Sequence, residues 1–93
     1  MIRSWKSQAA KAAFEGRVPK GFPSDLVKKT RRLLAQLNAV TVVEQLRHPP
    51  GDRLHTLSGD LAGQWSLSVN DQFRIVFVWG SEGPEDVWFG DYR

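Results

Sequence analysis

A histidine and an arginine in the second half of the sequence are of residue types that act on phosphate groups. Histidine is the residue type most used to accept and donate protons near neutral pH, which makes the imidazole of His55 a candidate proton carrier. Arg74 stands in an alternating run in which Phe73 and Ile75 take the other face, and a guanidinium there can make paired hydrogen bonds to phosphate oxygens. The residue types therefore indicate proton transfer beside a phosphate-binding cation. A structural loop histidine, and a sheet arginine paired with an acid such as Asp91, are the alternatives.

The end of the sequence adds three further candidates for the same site. Tyr92 can stack on a base or hydrogen-bond a phosphate, and Asp91 can orient His55 or Arg74. Neighbours in a regular strand point to opposite faces, so we expect Tyr92 rather than Asp91 to line the site unless the chain bends. Arg93 contributes a further positive charge.

The composition excludes several other kinds of site. Without cysteine there can be no disulfide, thiolate zinc site or thiol nucleophile, and two histidines alone make a poor metal site. No phosphate-binding glycine loop, nucleophile elbow or metal-binding helix motif occurs. We expect no metal and no cofactor. Glu82, Glu85 and Asp86 are predicted to be solubilising charges in a turn.

Positive charge is concentrated in the first half of the sequence. Residues 1–53 hold eleven Lys and Arg against four Asp and Glu, a net charge of +7, whereas residues 54–93 have a net charge of −4. Such asymmetry favours a surface that faces nucleic acid, because attraction to phosphates supplies most sequence-independent affinity. The candidates for this surface are Lys28, Lys29, Arg31, Arg32 and Arg53. A solvated basic helix face is the alternative for the first four.

The first half is predicted to be helical. An alanine-rich run predicts a helix over residues 7–15 that Gly16 ends. Ser24 is the predicted N-cap of a second helix over 25–38, and Thr41 with Glu44 fits a capping box before a short helix over 42–46. Residues 1–5 are a candidate short strand.

The second half changes to a period of two. Alternating residues predict strands over 64–69, 73–79 and 86–92, joined by turns too short for a parallel return. Trp65 and Trp79 alternate with the apolar set and are predicted core residues, whereas Trp88 is a candidate surface for stacking on RNA. The expected fold class is α+β, with N-terminal helices on one face of a small antiparallel sheet and a ligand site on the other.

Length and hydropathy bound the remaining possibilities. The 93 residues suit a single domain over 1–93. No apolar run approaches the ~20 residues of a membrane helix, and the first residues do not have the pattern of a signal peptide. We therefore expect a cytoplasmic protein without a membrane partner.

Several short motifs, taken together, resemble the HigB-like branch of the RelE/ParE toxin superfamily, also known as plasmid-maintenance killer proteins. The resemblance extends over nearly the whole sequence, and its specific part is residues 54–92. It is carried by Leu57-x-Gly59-Asp60-x-x-Gly63-x-Trp65-Ser66, by Arg74-Ile75-x-Phe77 and by the late Asp91-Tyr92.

The resemblance implies a RelE-like fold and a metal-independent endoribonuclease that cuts mRNA in the ribosomal A site. It implies a type II toxin that inhibits translation and is neutralised by a helix-turn-helix antitoxin of the HigA kind, in a heterotetramer. It also places His55 and the terminal segment at the catalytic centre.

The sequence departs from the HigB pattern at Ser58, where relatives often have lysine, and at Arg93, where they often have histidine. One cation and one proton carrier are thus missing, which predicts weaker activity. Two functions besides nuclease activity stay open, namely a ParE-like inhibitor of DNA gyrase and a noncatalytic ribosome-binding module.

Overall fold

The computed structural model describes residues 1–47, 54–57 and 63–91. These residues form two α-helices followed by a four-stranded antiparallel sheet, which confirms the predicted α+β class. The helices are α1 (Gln8–Phe14) and α2 (Val27–Ala39), with 3-10 helices at Ser24–Leu26 and Val43–Arg47. The strands are β1 (His55–Thr56), β2 (Gln64–Ser68), β3 (Arg74–Gly80) and β4 (Gly83–Gly90).

Helix α1 forms where the alanine-rich run predicted it. The Ser7 side chain accepts a hydrogen bond from the Ala10 amide at 3.2 Å and caps the first turn. Ala10 and Ala13 are fully buried, so the small side chains of this helix let it pack closely on the core. Gly16, with φ of +90°, follows the helix in a conformation that favours glycine.

The entry into α2 differs from the prediction. Ser24 does not act as the N-cap, because Pro23 occupies the cap position of a 3-10 turn over Ser24–Leu26. The Leu26 amide bonds the Pro23 carbonyl at 3.0 Å, three residues back, and the α-helix starts only at Val27. Its buried face carries Thr30, Leu33, Leu34 and Leu37.

The predicted capping box of Thr41 and Glu44 was wrong, because a different side chain bonds Thr41. The Thr41 amide donates to the side-chain oxygen of Gln45 at 2.8 Å, rather than to Glu44. The segment that follows is a 3-10 helix over Val43–Arg47.

The sheet is an antiparallel meander in the order β1-β2-β3-β4, so the predicted antiparallel pairing of the last three strands is confirmed. The sequence did not reveal β1, because a strand of two residues is too short to show alternation. Strand β4 begins at Gly83, three residues before the predicted start at residue 86, so Glu85 lies in the strand and not in the predicted turn. A tight turn allows this, since Gly80 already pairs with Gly83 and the latter adopts a φ of +137°.

The helices pack on one face of the sheet. The apolar residues of that face join Leu33, Leu34 and Leu37 of α2 in one core, and they are Leu67, Val69, Ile75, Phe77, Val87 and Phe89. Trp65 and Trp79 pack against this core at partial exposure, as predicted. The opposite face, which carries Arg74, is the one on which a ligand site was expected.

Residues 1–7 run beside β4 with one isolated parallel bridge, Trp5 to Val87, instead of the predicted short strand. The Val87 amide bonds the Ser4 carbonyl at 3.2 Å, and the Lys6 amide bonds the Val87 carbonyl at 2.9 Å. The segment thereby covers the edge of β4, which would otherwise present unpaired backbone groups. Within the described parts of the chain, no helix is both long enough and apolar enough to span a membrane.

Candidate active site

The face of the sheet away from the helices carries a row of four cross-strand partners. His55 is paired with Ser66, Ser66 with Val76, and Val76 with Trp88. Directly opposed residues of an antiparallel sheet point to the same side. His55, Ser66 and Trp88 therefore share one face of the sheet, on which His55 is exposed to solvent and Ser66 is buried.

Arg74 belongs to the next row along the same face. It is paired with Ser68 on one side and with Gly90 on the other. Because the face alternates every second residue, the predicted separation of Arg74 from Phe73 and Ile75 is confirmed. The sheet thus places His55 and Arg74 on one face, in neighbouring rows.

The guanidinium of Arg74 is held at the hairpin between β2 and β3. Its Nη1 donates to the Ser68 hydroxyl and to the Asn70 carbonyl, both at 2.9 Å. The Asn70 side chain in turn accepts hydrogen bonds from the Gln72 and Phe73 amides, which fixes the turn. These hydrogen bonds limit the conformations that the long side chain can adopt.

Trp88 lies over the backbone of Gly90. A Cβ built on residue 90 would stand 2.4 Å from Cζ2 of the indole, so a side chain there would displace the ring. The indole consequently covers the position opposite Arg74. Both lie on the face of the sheet away from the helices, which we call the site face. This is the surface on which Trp88 was expected to offer a stacking platform.

Ser66 is a residue of this face that the sequence reasoning did not single out. Its hydroxyl is fully buried and has no hydrogen-bond partner among the described residues. Buried polar groups are nearly always paired, so an exception at a candidate site calls for a physical reason. The available signal was the alternation of Gln64, Ser66 and Ser68 with apolar residues along β2.

Of the candidates Arg53, Asp91, Tyr92 and Arg93, the structure describes Asp91. Asp91 is exposed and directly follows Gly90, the partner of Arg74. Tyr92, Arg93 and Arg53 lie outside the described residues.

The four basic residues of α2 differ in their contacts. Lys28, Lys29 and Arg32 surround a shallow depression of about 620 Å³ together with Asp25. Arg31 instead turns toward α1, where its Nε donates at 3.2 Å to the Ala13 carbonyl, which also accepts from the Gly16 amide. Lys28 and Arg32 are exposed and face away from the buried side of α2, so this basic face lies across the molecule from His55.

The arrangement of helices and sheet is that of small bacterial toxins of RelE-like fold. A YoeB/ParE toxin from Agrobacterium tumefaciens has a TM-score of 0.60 at 18% identity, covering 99% of this chain and 98% of its own. YafQ from Escherichia coli has a TM-score of 0.59 at 12% identity, covering 98% of this chain and 91% of its own. At these identities the likeness concerns the fold.

Sequence comparison narrows the class to one family. Residues 4–92 match the profile described as the RelE-like toxin of the type II toxin-antitoxin system HigB, so the chain belongs to the HigB-like toxin family. The "Endoribonuclease HigB" of Proteus vulgaris is 34% identical over the full length of both chains. "Toxin HigB-1" of Vibrio cholerae is 40% identical over 57 residues, which are 61% of this chain and 60% of that protein.

Proposed function

We propose that this HigB-like toxin is a metal-independent endoribonuclease that cuts mRNA on the ribosome and is neutralised by a HigA-like antitoxin. The observation that carries the proposal is the placement of His55 and Arg74 in neighbouring rows of one sheet face. The homology to an endoribonuclease of the same length supports it. No three His, Asp or Glu side chains cluster as metal ligands within the described ranges.

In the proposed reaction the ribose 2′-hydroxyl attacks the adjacent phosphorus. The 2′-oxygen forms a bond to phosphorus as the bond to the 5′-oxygen breaks, which leaves a cyclic phosphate and a free 5′-hydroxyl. His55 is the candidate for proton transfer, and Arg74 would stabilise the charge that accumulates on the phosphorane oxygens. Tyr92 and Arg93 are proposed to contact the same phosphate or its base. Asp91 is proposed to orient His55 or Arg74.

The position of the basic residues of α2 supports dependence on the ribosome. The basic face around Lys28 and Arg32 lies on the helix side of the sheet, whereas His55 and Arg74 lie on the opposite face. A large RNA surface that surrounds the protein can bind the basic face while mRNA meets the sheet. Positioning of the mRNA by the ribosome would then supply the in-line geometry of attack, so free RNA should be cut poorly.

The test is single-turnover cleavage of ribosome-bound mRNA by the wild type and by three variants, His55→Ala, Arg74→Ala and Tyr92→Ala. Loss of Arg74 should lower the cleavage rate about 100-fold or more, since one donor to a transition-state charge commonly contributes that much. Substrate affinity should change less. Lys11→Ala, an exposed change at the end of α1, serves as a matched control.

Near-wild-type rates in all three variants would contradict the proposed site. If even the wild type does not cleave, the gyrase inhibitor or the noncatalytic ribosome-binding module becomes the better reading. Purification with the neighbouring gene product tests the antitoxin separately, and the expected product is a complex of two toxins with two antitoxins.

A further inference from the structure

A small apolar pocket opens on the helix side of the sheet, at the same end as Arg74. Its volume is about 220 Å³, below the range of pockets for drug-sized ligands. It lies between the loop that leads into α2 and the ends of β3 and β4. Among the residues that line it are Pro19, Lys20, Phe22, Phe73, Phe89 and Gly90.

Three phenylalanine rings form a stack at this pocket. Phe89 is in the middle, with the Phe22 ring centroid at 4.6 Å and 19° from coplanarity and the Phe73 centroid at 5.2 Å and 3°. Phe89 is nearly buried at 8% exposure, whereas Phe22 and Phe73 are only partly buried. An additional planar group can therefore continue the stack on an outer ring.

The charge beside the pocket favours an anionic ligand over a neutral one. Lys20 is the one ionisable residue among the described residues that line it, and it is exposed. Gly90 also lines the pocket, and Gly90 is the cross-strand partner of Arg74. Only the thickness of one sheet thus separates the pocket from the proposed phosphate site.

We infer that this pocket binds one nucleobase of the RNA strand whose phosphate contacts Arg74. The base stacks on the phenylalanine cluster, and Lys20 contacts a neighbouring phosphate. Stacking on aromatic side chains accepts every base, because each has a π-face, and single-stranded RNA exposes such bases. This inference depends on the proposed function for its choice of RNA. An apolar side chain of the antitoxin is the competing occupant, and the test separates the two.

The experiment measures binding without cleavage. The probe is a short single strand of 2′-O-methyl RNA with one 2-aminopurine, which cannot be cut because its 2′-oxygens are blocked. The variants are Phe22→Ala, Phe22→Leu, Phe22→Trp and Lys20→Gln. Phe14→Leu is the control, because Phe14 is a partly exposed aromatic residue that contacts Trp5 and does not line the pocket.

We expect Phe22→Ala and Phe22→Leu to lower the affinity at least about fivefold and to relieve the quenching of 2-aminopurine, since stacking one base on an aromatic ring commonly contributes this much or more. Phe22→Trp should retain both signals, because it keeps a π-face. Lys20→Gln should lower the salt slope of binding by about one. Phe14→Leu should change none of these. Urea unfolding of each variant identifies a general loss of fold.

Wild-type binding and quenching in folded Phe22→Leu would overturn the inference, because an aliphatic side chain cannot stack. A further variant, Phe22→Asp, identifies the alternative occupant. If Phe22→Leu binds RNA like the wild type and Phe22→Asp no longer binds the antitoxin, the pocket is a protein-docking site. Failure of the proposed function is distinguishable, since it appears as absent cleavage on the ribosome whereas the pocket is judged by binding alone.

Discussion

The indole of Trp88 occupies the space over Gly90, so that a Cβ on residue 90 would lie 2.4 Å from Cζ2. Gly90 is also the direct partner of Arg74. A tryptophan, a glycine and an arginine thus occupy one end of the site face, and the size of residue 90 sets the position of the indole.

Gly90→Ala is expected to displace the Trp88 ring while the protein stays folded, because the atoms that a Cβ would meet belong to the outer end of a side chain. Tryptophan fluorescence and near-UV circular dichroism should change, and cleavage on the ribosome should fall by roughly tenfold if the ring stacks on RNA. The double variant Gly90→Ala with Trp88→Ala should show no further loss beyond Trp88→Ala alone. Full additivity of the two changes would show that they act independently.

Ser68→Ala removes the hydrogen bond from Arg74 Nη1 to the Ser68 hydroxyl and leaves the bond to the Asn70 carbonyl. We expect a smaller loss of cleavage than in Arg74→Ala, together with a loss of stability of about 1 kcal/mol. Ser68→Thr should restore much of the activity because it keeps the hydroxyl. Equal damage from Ser68→Ala and Ser68→Thr would mean that packing, and not the hydrogen bond, matters at this position.

Ser66 and Thr30 each have a buried hydroxyl without a partner among the described residues. Removal of the two hydroxyls should affect stability alike but cleavage differently. An unpaired buried polar group costs about 1–3 kcal/mol, so Thr30→Val within α2 and Ser66→Ala within β2 should leave stability unchanged or raise it. Only Ser66→Ala should affect cleavage, because Ser66 lies between His55 and Val76 on the site face. Identical activities of both variants would remove Ser66 from the candidate site. Chemical unfolding and single-turnover cleavage supply the two measurements.

The basic residues of α2 should separate into two classes. Replacing Lys28, Lys29 and Arg32 by Gln should weaken ribosome binding and lower its salt slope by roughly two to three, because each phosphate contact releases a counterion. Arg31→Gln should instead reduce stability by about 1 kcal/mol through the lost bond to the Ala13 carbonyl, with little change in the salt slope. Titration of binding at several salt concentrations distinguishes the two. An unchanged slope in the triple variant would leave these residues as a solvated helix face.

Asp86 has a φ of 52°, and it is the one non-glycine residue with positive φ in the part of the chain that the structure describes. Its amide donates to the Ser4 hydroxyl at 2.8 Å, at the irregularity where β4 shifts register against β3. Ser4→Ala should therefore lower the free energy of unfolding by about 1 kcal/mol. Asp86→Gly should be tolerated, since glycine adopts this conformation readily, whereas Asp86→Val should destabilise the protein more than Ser4→Ala. Thermal unfolding ranks the three variants, and the reverse order would show that the backbone here relaxes freely.

Local chemistry in the sequence determined most of the secondary structure. The alanine-rich run produced α1 as predicted, and the alternation through Arg74 and Ile75 placed the arginine on the face away from the core. Those features depend on neighbours a few residues apart, so helix propensity and periodicity are sufficient to predict them. The motifs from Leu57 to Tyr92 likewise indicated the family, which the match over residues 4–92 confirms.

Contacts between distant residues decided what the sequence could not. Strand β1 exists because His55 and Thr56 pair with β2, and Arg31 faces α1 because the Ala13 carbonyl lies within reach. Neither feature has a local signature, since a two-residue strand shows no period and a helical arginine looks alike whether it meets solvent or a carbonyl. The phenylalanine stack joins Phe22, Phe73 and Phe89 from three separate segments. Only the packing of the loop against the sheet brings those rings together, because burial of apolar surface acts between whatever residues the fold makes neighbours.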